Sequence, residues 1–177
     1  MARVKYLQRS DLGEAGAPLF DRLERERKVP TANIFRVMAH SPRILDQFLS
    51  YANAIRASDI SPKLREMAIL TVGHCTGSEY EIAHHQSHGL KAGISPEQLK
   101  AIADFDNSPL FNEEERAVMA LARESTLKVD VGDAAWNRVA AFMSESQLVE
   151  LSLNIAWYNS GVRIMGLLGI ELEEGYR

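Results

Sequence analysis

Between Glu66 and His88 the chain concentrates side chains that move protons. The stretch Cys75-Thr-Gly-Ser-Glu-Tyr-Glu-Ile-Ala-His-His-Gln-Ser-His88 supplies a thiol, hydroxyls, two carboxylates, a phenol and three imidazoles. If residues 79–91 are helical, Ser78, Glu81, His85 and His88 recur at intervals of three, four and three and share one side. Carboxylates and imidazoles on a common face exchange protons near neutral pH, because imidazole titrates there unperturbed. The expected site is therefore one of acid/base chemistry.

Such residues need helices to hold them. Apolar residues recur at helical rather than strand spacing nearly throughout. Residues 1–17 read as an irregular arm, broken by Gly13, Gly16 and Pro18. A short charged helix is predicted from Leu19 to Arg27, stopped by Val29-Pro30, and another from Asn33 to Ala39. Ser41-Pro42 opens a helix through Ile55, and Ser61-Pro62 opens the Glu66 helix, which runs to about Val72. Gly77 ends the connection. Ser78 then caps a helix with Glu81 at its third position, a capping-box pattern, and that helix ends near Gly93. Further helices run from Ser95-Pro96-Glu97 to Ala103, from Asn112 to about Leu127, from Asp133 to Met143 and from Ser146 to Leu167. The class is all-α, as a single domain over 1–177.

Composition excludes several functions. At 177 residues, 46 % hydrophobic and 25 % charged, the chain has the mix of a globular protein with a sizeable core. A net charge of −4, with basic residues scattered, argues against nucleic acid or an anionic membrane as partner. The single cysteine forbids an intrachain disulfide and suits a reducing cytoplasm. The N-terminus lacks the apolar core of a signal peptide. Leu148 to Ile170 is the most apolar segment, but Glu150, Asn154, Asn159 and Arg163 interrupt it. It reads as a buried helix and a subunit contact, not a membrane span. A soluble, cytoplasmic protein is expected.

Ordered motifs add a family resemblance. Asn33-Ile-Phe-Arg-Val-Met-Ala-His-Ser-Pro42, Leu64-Arg-Glu-Met-Ala-Ile-Leu70, Glu79-Tyr-Glu-Ile-Ala-His-His85 and Gly89-Leu-Lys-Ala-Gly-Ile-Ser-Pro96 resemble the carboxymuconolactone decarboxylase family. The resemblance is most specific over 31–104. It implies an alkylhydroperoxidase D-like helical bundle, a homo-oligomer (trimer or hexamer), and removal of carbon dioxide from a small carboxylated lactone without metal or organic cofactor. The related alkylhydroperoxidase D-like proteins carry a glutamate, eleven residues, Cys-x-x-Cys, three residues and a histidine. Here Glu66 and His85 match the ends of that pattern, while Ser78 and Glu81 occupy the two cysteine positions and Tyr80 precedes the second. Disulfide exchange needs an attacking thiolate and a resolving thiol. Neither stands at those positions, and Cys75 lies three residues early.

Each candidate also has a structural role to weigh. Glu66 can serve an ion pair with Arg65 or Arg36, Glu81 the capping box, Ser78 the cap alone, Tyr80 packing, and His85 a core hydrogen bond. His84, His85 and His88 lie at spacings that bind zinc, but no HExxH pattern or cysteine cluster accompanies them, so no metal is assigned. Cys75 reads as a small buried residue and Trp136 and Trp157 as core. The resulting assignment makes Glu66, Glu81, His85 and Tyr80 catalytic. Arg36, Ser78 and His88 bind substrate, with Asn33 and His40 as further pocket candidates. The alternatives are an alkylhydroperoxidase-like peroxidase or thiol-dependent reductase using Cys75, and a non-catalytic oligomeric binding protein.

Overall fold

The computed structural model describes residues 2–27 and 32–176. Among them nine α-helices follow one another: α1 Gly13–Arg27, α2 Asn33–Met38, α3 Pro42–Arg56, α4 Pro62–Thr76, α5 Glu79–Lys91, α6 Pro96–Ala101, α7 Glu113–Lys128, α8 Asp133–Ala140 and α9 Glu145–Leu168. No strand occurs among the described residues, and the all-α class holds. None of these helices is long and apolar enough to cross a membrane.

The chain forms two compact units, Met1–Ala57 with Ile164–Arg177, and Ser58–Arg163. In the first unit Leu19, Phe20 and Leu23 of α1 pack with Ala39, Leu45 and Leu49. Helix α1 begins at Gly13, six residues before the predicted start. Pro18 forfeits only one intrahelical bond, to the carbonyl of Glu14, so it does not stop the helix. The predicted arm thus shortens to the residues before α1, of which 5–11 are tied down. Asp11 pairs with Lys5 at 2.7 Å and accepts from the Gln8 amide at 2.7 Å, around a 3-10 turn over Arg9–Asp11. The predicted stop at Val29-Pro30 lies outside the described residues.

In the second unit α4 is the central helix, packed against α5 and α7. Eight consecutive residues, Glu66 to Gly73, are buried, as expected for a helix surrounded on all sides. Met67 and Leu70 join Ile94, Ile102, Phe105, Phe111 and Met119 in the core. Each such fully buried apolar side chain contributes about 2 kcal/mol. Helix α4 continues one turn beyond Val72 because Gly77 supplies a left-handed end, φ 66°. Ser78 N–H donates to the Gly73 carbonyl at 2.9 Å and Gly77 N–H to that of His74 at 3.3 Å. Ser78 is also the N-cap of α5, so the chain turns back within two residues and lays α5 along α4. Gly73 permits the close approach, since a Cβ there would lie 3.1 Å from Ile82 Cγ1.

Capping explains most helix starts, with some corrections. Ser95 with Gln98, and Asn112 with Glu115, form reciprocal boxes. Ser41 and Ser61 occupy N-cap positions but neither hydroxyl accepts a cap bond; the following proline marks those starts. Helix α9 begins before Ser146 because Ser144 and Gln147 exchange bonds of 3.3 and 3.0 Å. Helix α9 is also only half buried: Leu151 is enclosed, whereas Val149 is 58 % and Leu153 43 % exposed.

One arginine organises the loop before α7. Arg116 donates to the carbonyls of Phe105, Asp106, Ser108 and Phe111, while Arg123 pairs with Asp106. Arg116→Ala should destabilise the protein by about 2 kcal/mol, because charge-assisted bonds to several carbonyls, most of them partly buried, are lost together. Urea unfolding at neutral pH reads this directly. A loss below about 0.5 kcal/mol would mean the loop holds itself.

Candidate active site

The fold-back of α5 on α4 brings His85 onto Glu66. His85 Nδ1 lies 2.7 Å from Glu66 Oε2, between residues nineteen apart in sequence. On the other side of the ring, Nε2 faces Glu81 Oε2 at 3.4 Å, one turn earlier on α5. The Arg65 guanidinium reaches within 3.8 Å of Glu66 Oε1. The side chains of Glu66 and Glu81 are only 8 % and 9 % exposed, and that of His85 is 14 % exposed. The imidazole is thus enclosed without being sealed.

The two carboxyls diverge in acidity. Burial acts most strongly on Glu66 and raises its pKa. The His85 hydrogen bond and the charges of His85, His88 and Arg65 outweigh it, and the carboxyl is held below its usual range. Burial pushes the Glu81 carboxyl up; His85 and His84 offset this only in part, and Glu66 adds to it. An ionised Glu66 only accepts hydrogen bonds, so the His85 proton on that side sits on Nδ1. Glu81 keeps its proton to higher pH. Titratable groups pushed apart in this way divide into an orienting base and an acid.

This divergence has a consequence for stability. A carboxyl with a raised folded-state pKa binds its proton more tightly in the folded than in the unfolded chain. Stability from Glu81 therefore falls as pH rises from the ordinary value of 4.5 through the raised one. Glu81→Gln keeps a neutral side chain at every pH, so its advantage over wild type should grow with pH across that window. Urea unfolding of both proteins from pH 4 to 8 tests this. Parallel stability curves would show that Glu81 carries no such shift.

The remaining candidates divide. His88 is half-buried, with its ring centroid 5.5 Å from that of His85. Tyr80 is buried and stacks on His84, centroids 4.4 Å apart at 12°. Tyr80 and His84 are four residues apart and lie round α5 from the Glu81–His85 pair. Ser78 acts as the cap, accepting from the Glu81 amide at 3.3 Å. The expected reciprocal box is replaced: the Ser78 N–H is spent on Gly73, and the Glu81 carboxylate turns to His85. Ser78 also lies seven residues from His85, roughly 10 Å along the helix. Arg36 belongs to the first unit, where it donates to Leu7 O at 3.2 Å and Asn33 Oδ1 at 3.0 Å and sits over the Tyr6 ring. In that unit Asn33 Nδ2 donates to Glu171 O and His40 Nε2 meets Lys5 O.

Sequence reasoning missed the contribution of α9. The Tyr158 ring meets His85 edge-on, centroids 4.9 Å apart at 86°. Gly161, three residues on, faces Glu81, whose Oε1 would lie 3.4 Å from a Cβ built there. Both positions share one stripe of α9, a signal visible only once the helix is known to cross the site.

Comparison with known proteins follows the same residues. Residues 42–124 match the carboxymuconolactone decarboxylase family. The matched segment runs from α3 into α7 and includes Glu66, Glu81 and His85. An uncharacterized Bacillus subtilis protein, YdfG, is 28 % identical over 116 residues, which are 64 % of this chain and 79 % of that one. The debrominase Bmp8, as a cysteine-to-alanine variant in complex with 2,3,4-tribromopyrrole, superposes with TM-score 0.84 at 21 % identity, covering 100 % of this chain and 96 % of that one. An alkylhydroperoxidase AhpD core protein from Ralstonia eutropha JMP134, described as peroxidase-related, gives TM-score 0.83 at 14 % identity, covering 99 % and 94 %. At these identities the solved structures show the shared fold alone. It is the alkylhydroperoxidase D-like helical fold.

Cys75 is the chain's one cysteine. It follows Glu66 by nine residues on α4, which places it on the opposite side of that helix. It is half-buried, and burial pushes its thiol pKa up, with Arg123 offsetting part of the rise. A raised pKa and the wrong helix face both disfavour a reactive thiolate at this site. Among the described residues no group of three or more His, Cys, Asp or Glu side chains forms a metal-holding cluster.

Proposed function

We propose that this protein is a cofactor-independent carboxy-lyase acting on a small carboxylated lactone or related acid. The observation that carries this reading is the Glu66–His85–Glu81 arrangement, with His85 Nδ1 2.7 Å from Glu66 and Nε2 3.4 Å from Glu81; the first carboxyl is held below its usual range and the second is pushed above it. The match of residues 42–124 to the carboxymuconolactone decarboxylase family supports this choice of substrate class.

In this reaction the substrate C–C bond breaks and carbon dioxide leaves. The electron pair passes into a conjugated carbonyl as an enolate. His85, protonated at Nε2, delivers a proton to carbon, and the enolate electrons form the new C–H bond. Glu66 accepts from Nδ1–H, fixes the ring and stabilises the imidazolium before transfer. Glu81 is placed to return a proton to Nε2. The cycle consumes one proton from solvent and releases one carbon dioxide per substrate carboxylate. Tyr158 walls the imidazole from α9 and limits the water around it.

The protein also fits a homo-oligomeric arrangement, for which exposed Val149 and Leu153 offer an apolar contact. Its surroundings are those of a soluble cytoplasmic enzyme, with no nucleic-acid or membrane partner.

The deciding experiment incubates purified protein with a mixture of carboxylated lactones and related acids and follows loss of 44 mass units by mass spectrometry, roughly one carbon dioxide. Conversion that tracks the purified protein supports the reading; no conversion of any compound overturns it. Cys75→Ser should retain wild-type turnover within about twofold, because the thiol faces away from Glu66. Loss of turnover in that variant, with hydroperoxide consumption by the wild type, would instead establish thiol chemistry.

A further inference from the structure

Among the described residues three buried side-chain atoms lack a hydrogen-bond partner: Asn154 Oδ1, Asn154 Nδ2 and Ser58 Oγ. Asn154 is 1 % exposed, so solvent compensates neither half of its carboxamide. Other buried polar side chains of the same unit are satisfied. Gln98 donates to Leu110 O and to Glu115, and Thr71 and Thr126 bond the carbonyls one turn back. On α9 itself, Asn159 Nδ2 donates to Thr126 Oγ1 at 2.9 Å and to Ile155 O at 3.1 Å. A buried amide with neither donor nor acceptor used destabilises the fold relative to an apolar residue of its size. Its presence calls for an occupant.

Position indicates which occupant. Gln147 and Glu150, earlier on α9, bond the Asp59 backbone at 3.2 and 3.0 Å, which seats that part of the helix on the Ser58–Asp59 loop. Tyr158, one turn after Asn154, touches His85, and Gly161 faces Glu81. Residues 147, 150, 154, 158 and 161 recur at three- and four-residue intervals and form one stripe. Asn154 therefore lies between the Ser58 loop and the acid/base group, about one helical turn from the latter.

We propose that the Asn154 carboxamide, assisted by the Ser58 hydroxyl, is the substrate-recognition group of the His85 site. It takes a carboxyl or carboxamide group of a small molecule. A carboxylate accepts from Nδ2–H and from the Ser58 O–H; a carboxylic acid or primary amide engages both halves of the Asn154 side chain. The amide is closed to solvent in the free chain, so this contact is made on binding. The inference rests on the reading of the site as one for small acids and names the residue that selects them. The competing occupant is an internal water bridging Asn154 and Ser58.

The test uses Asn154→Leu and Asn154→Ala, with carboxymuconolactone, its primary amide and its methyl ester as probes. Ligand-observed NMR reads affinity, and thermal unfolding of the free proteins reads the unmet amide. Asn154→Leu should melt at or above wild type, because an uncompensated polar group is removed. Its affinity for the acid and the amide should fall at least about tenfold, roughly the loss of one or two hydrogen bonds, with the ester less affected. Unchanged affinity in Asn154→Leu overturns the inference and favours the bridging water. Failure of both variants to fold makes Asn154 a structural amide and overturns it too. Binding that depends on Asn154 without any conversion sinks the lyase reading alone. Conversion untouched by Asn154→Leu sinks this inference alone, and a wild type that binds none of the probes sinks both.

Discussion

His85→Ala is expected to lower kcat on the converted acid by about 10³-fold or more, the usual scale of a positioned general acid/base. The imidazole is the group that meets all the others. Its Nδ1 bonds Glu66, its Nε2 faces Glu81, and its ring lies against Tyr158. Removing it leaves no group between the two carboxyls to carry a proton to carbon. The substitution also leaves Glu66 buried without its hydrogen bond, which costs stability, so the far-ultraviolet circular dichroism must be compared alongside turnover. An intact helical spectrum with turnover lost assigns the loss to chemistry. Wild-type turnover in a folded His85→Ala protein would remove His85 from the mechanism.

Glu66→Gln is expected to cost on the order of 10²- to 10⁴-fold in turnover while keeping the shape of the site. A single proton decides the effect. Glu66 Oε1 lies 3.8 Å from Arg65, so the amide oxygen of a glutamine is drawn toward the guanidinium and its NH₂ toward His85. That NH₂ donates where the carboxylate accepted, forcing the His85 proton from Nδ1 to Nε2 and removing stabilisation of the imidazolium. The pH profile should change with the rate. In wild type the ionised Glu66 is held below its usual range, so its contribution persists above the ordinary carboxylate pKa of 4.5 and is lost only as pH falls through the lower folded value. In Glu66→Gln this acid limb should vanish from the stability curve. Turnover equal to wild type would show that Glu66 is only a packing partner.

How far these residues were legible depended on the distance over which each signal acts. The start of α7 at Asn112 and the Gly77 turn act within one helical turn, and both lie where the local chemistry indicates. The Glu66–His85 contact was legible because the intervening turn is so short that α5 has to fold back on α4. Glu81 illustrates a local rule losing to a tertiary one. Its spacing from Ser78 suits a capping box, but the imidazole one turn on draws the carboxylate away. At α1, Gly13 and Pro18 read as breakers, yet packing of Leu19, Phe20 and Leu23 carries the helix through them. Tyr158 was not assigned to the site, because its contact with His85 depends on how α9 crosses helices more than sixty residues away. No local pattern encodes that crossing.

Whether Glu66 and His85 act as one proton-handling unit is read from a double-mutant cycle on kcat. Turnover of wild type, Glu66→Gln, His85→Ala and the double variant is measured on the same acid at one pH. If Glu66 acts through the imidazole, the double variant should be no slower than His85→Ala alone, within about threefold. Multiplicative losses, with the double variant slower than His85→Ala by the full Glu66→Gln factor, would show two groups acting independently and rule out a shared unit.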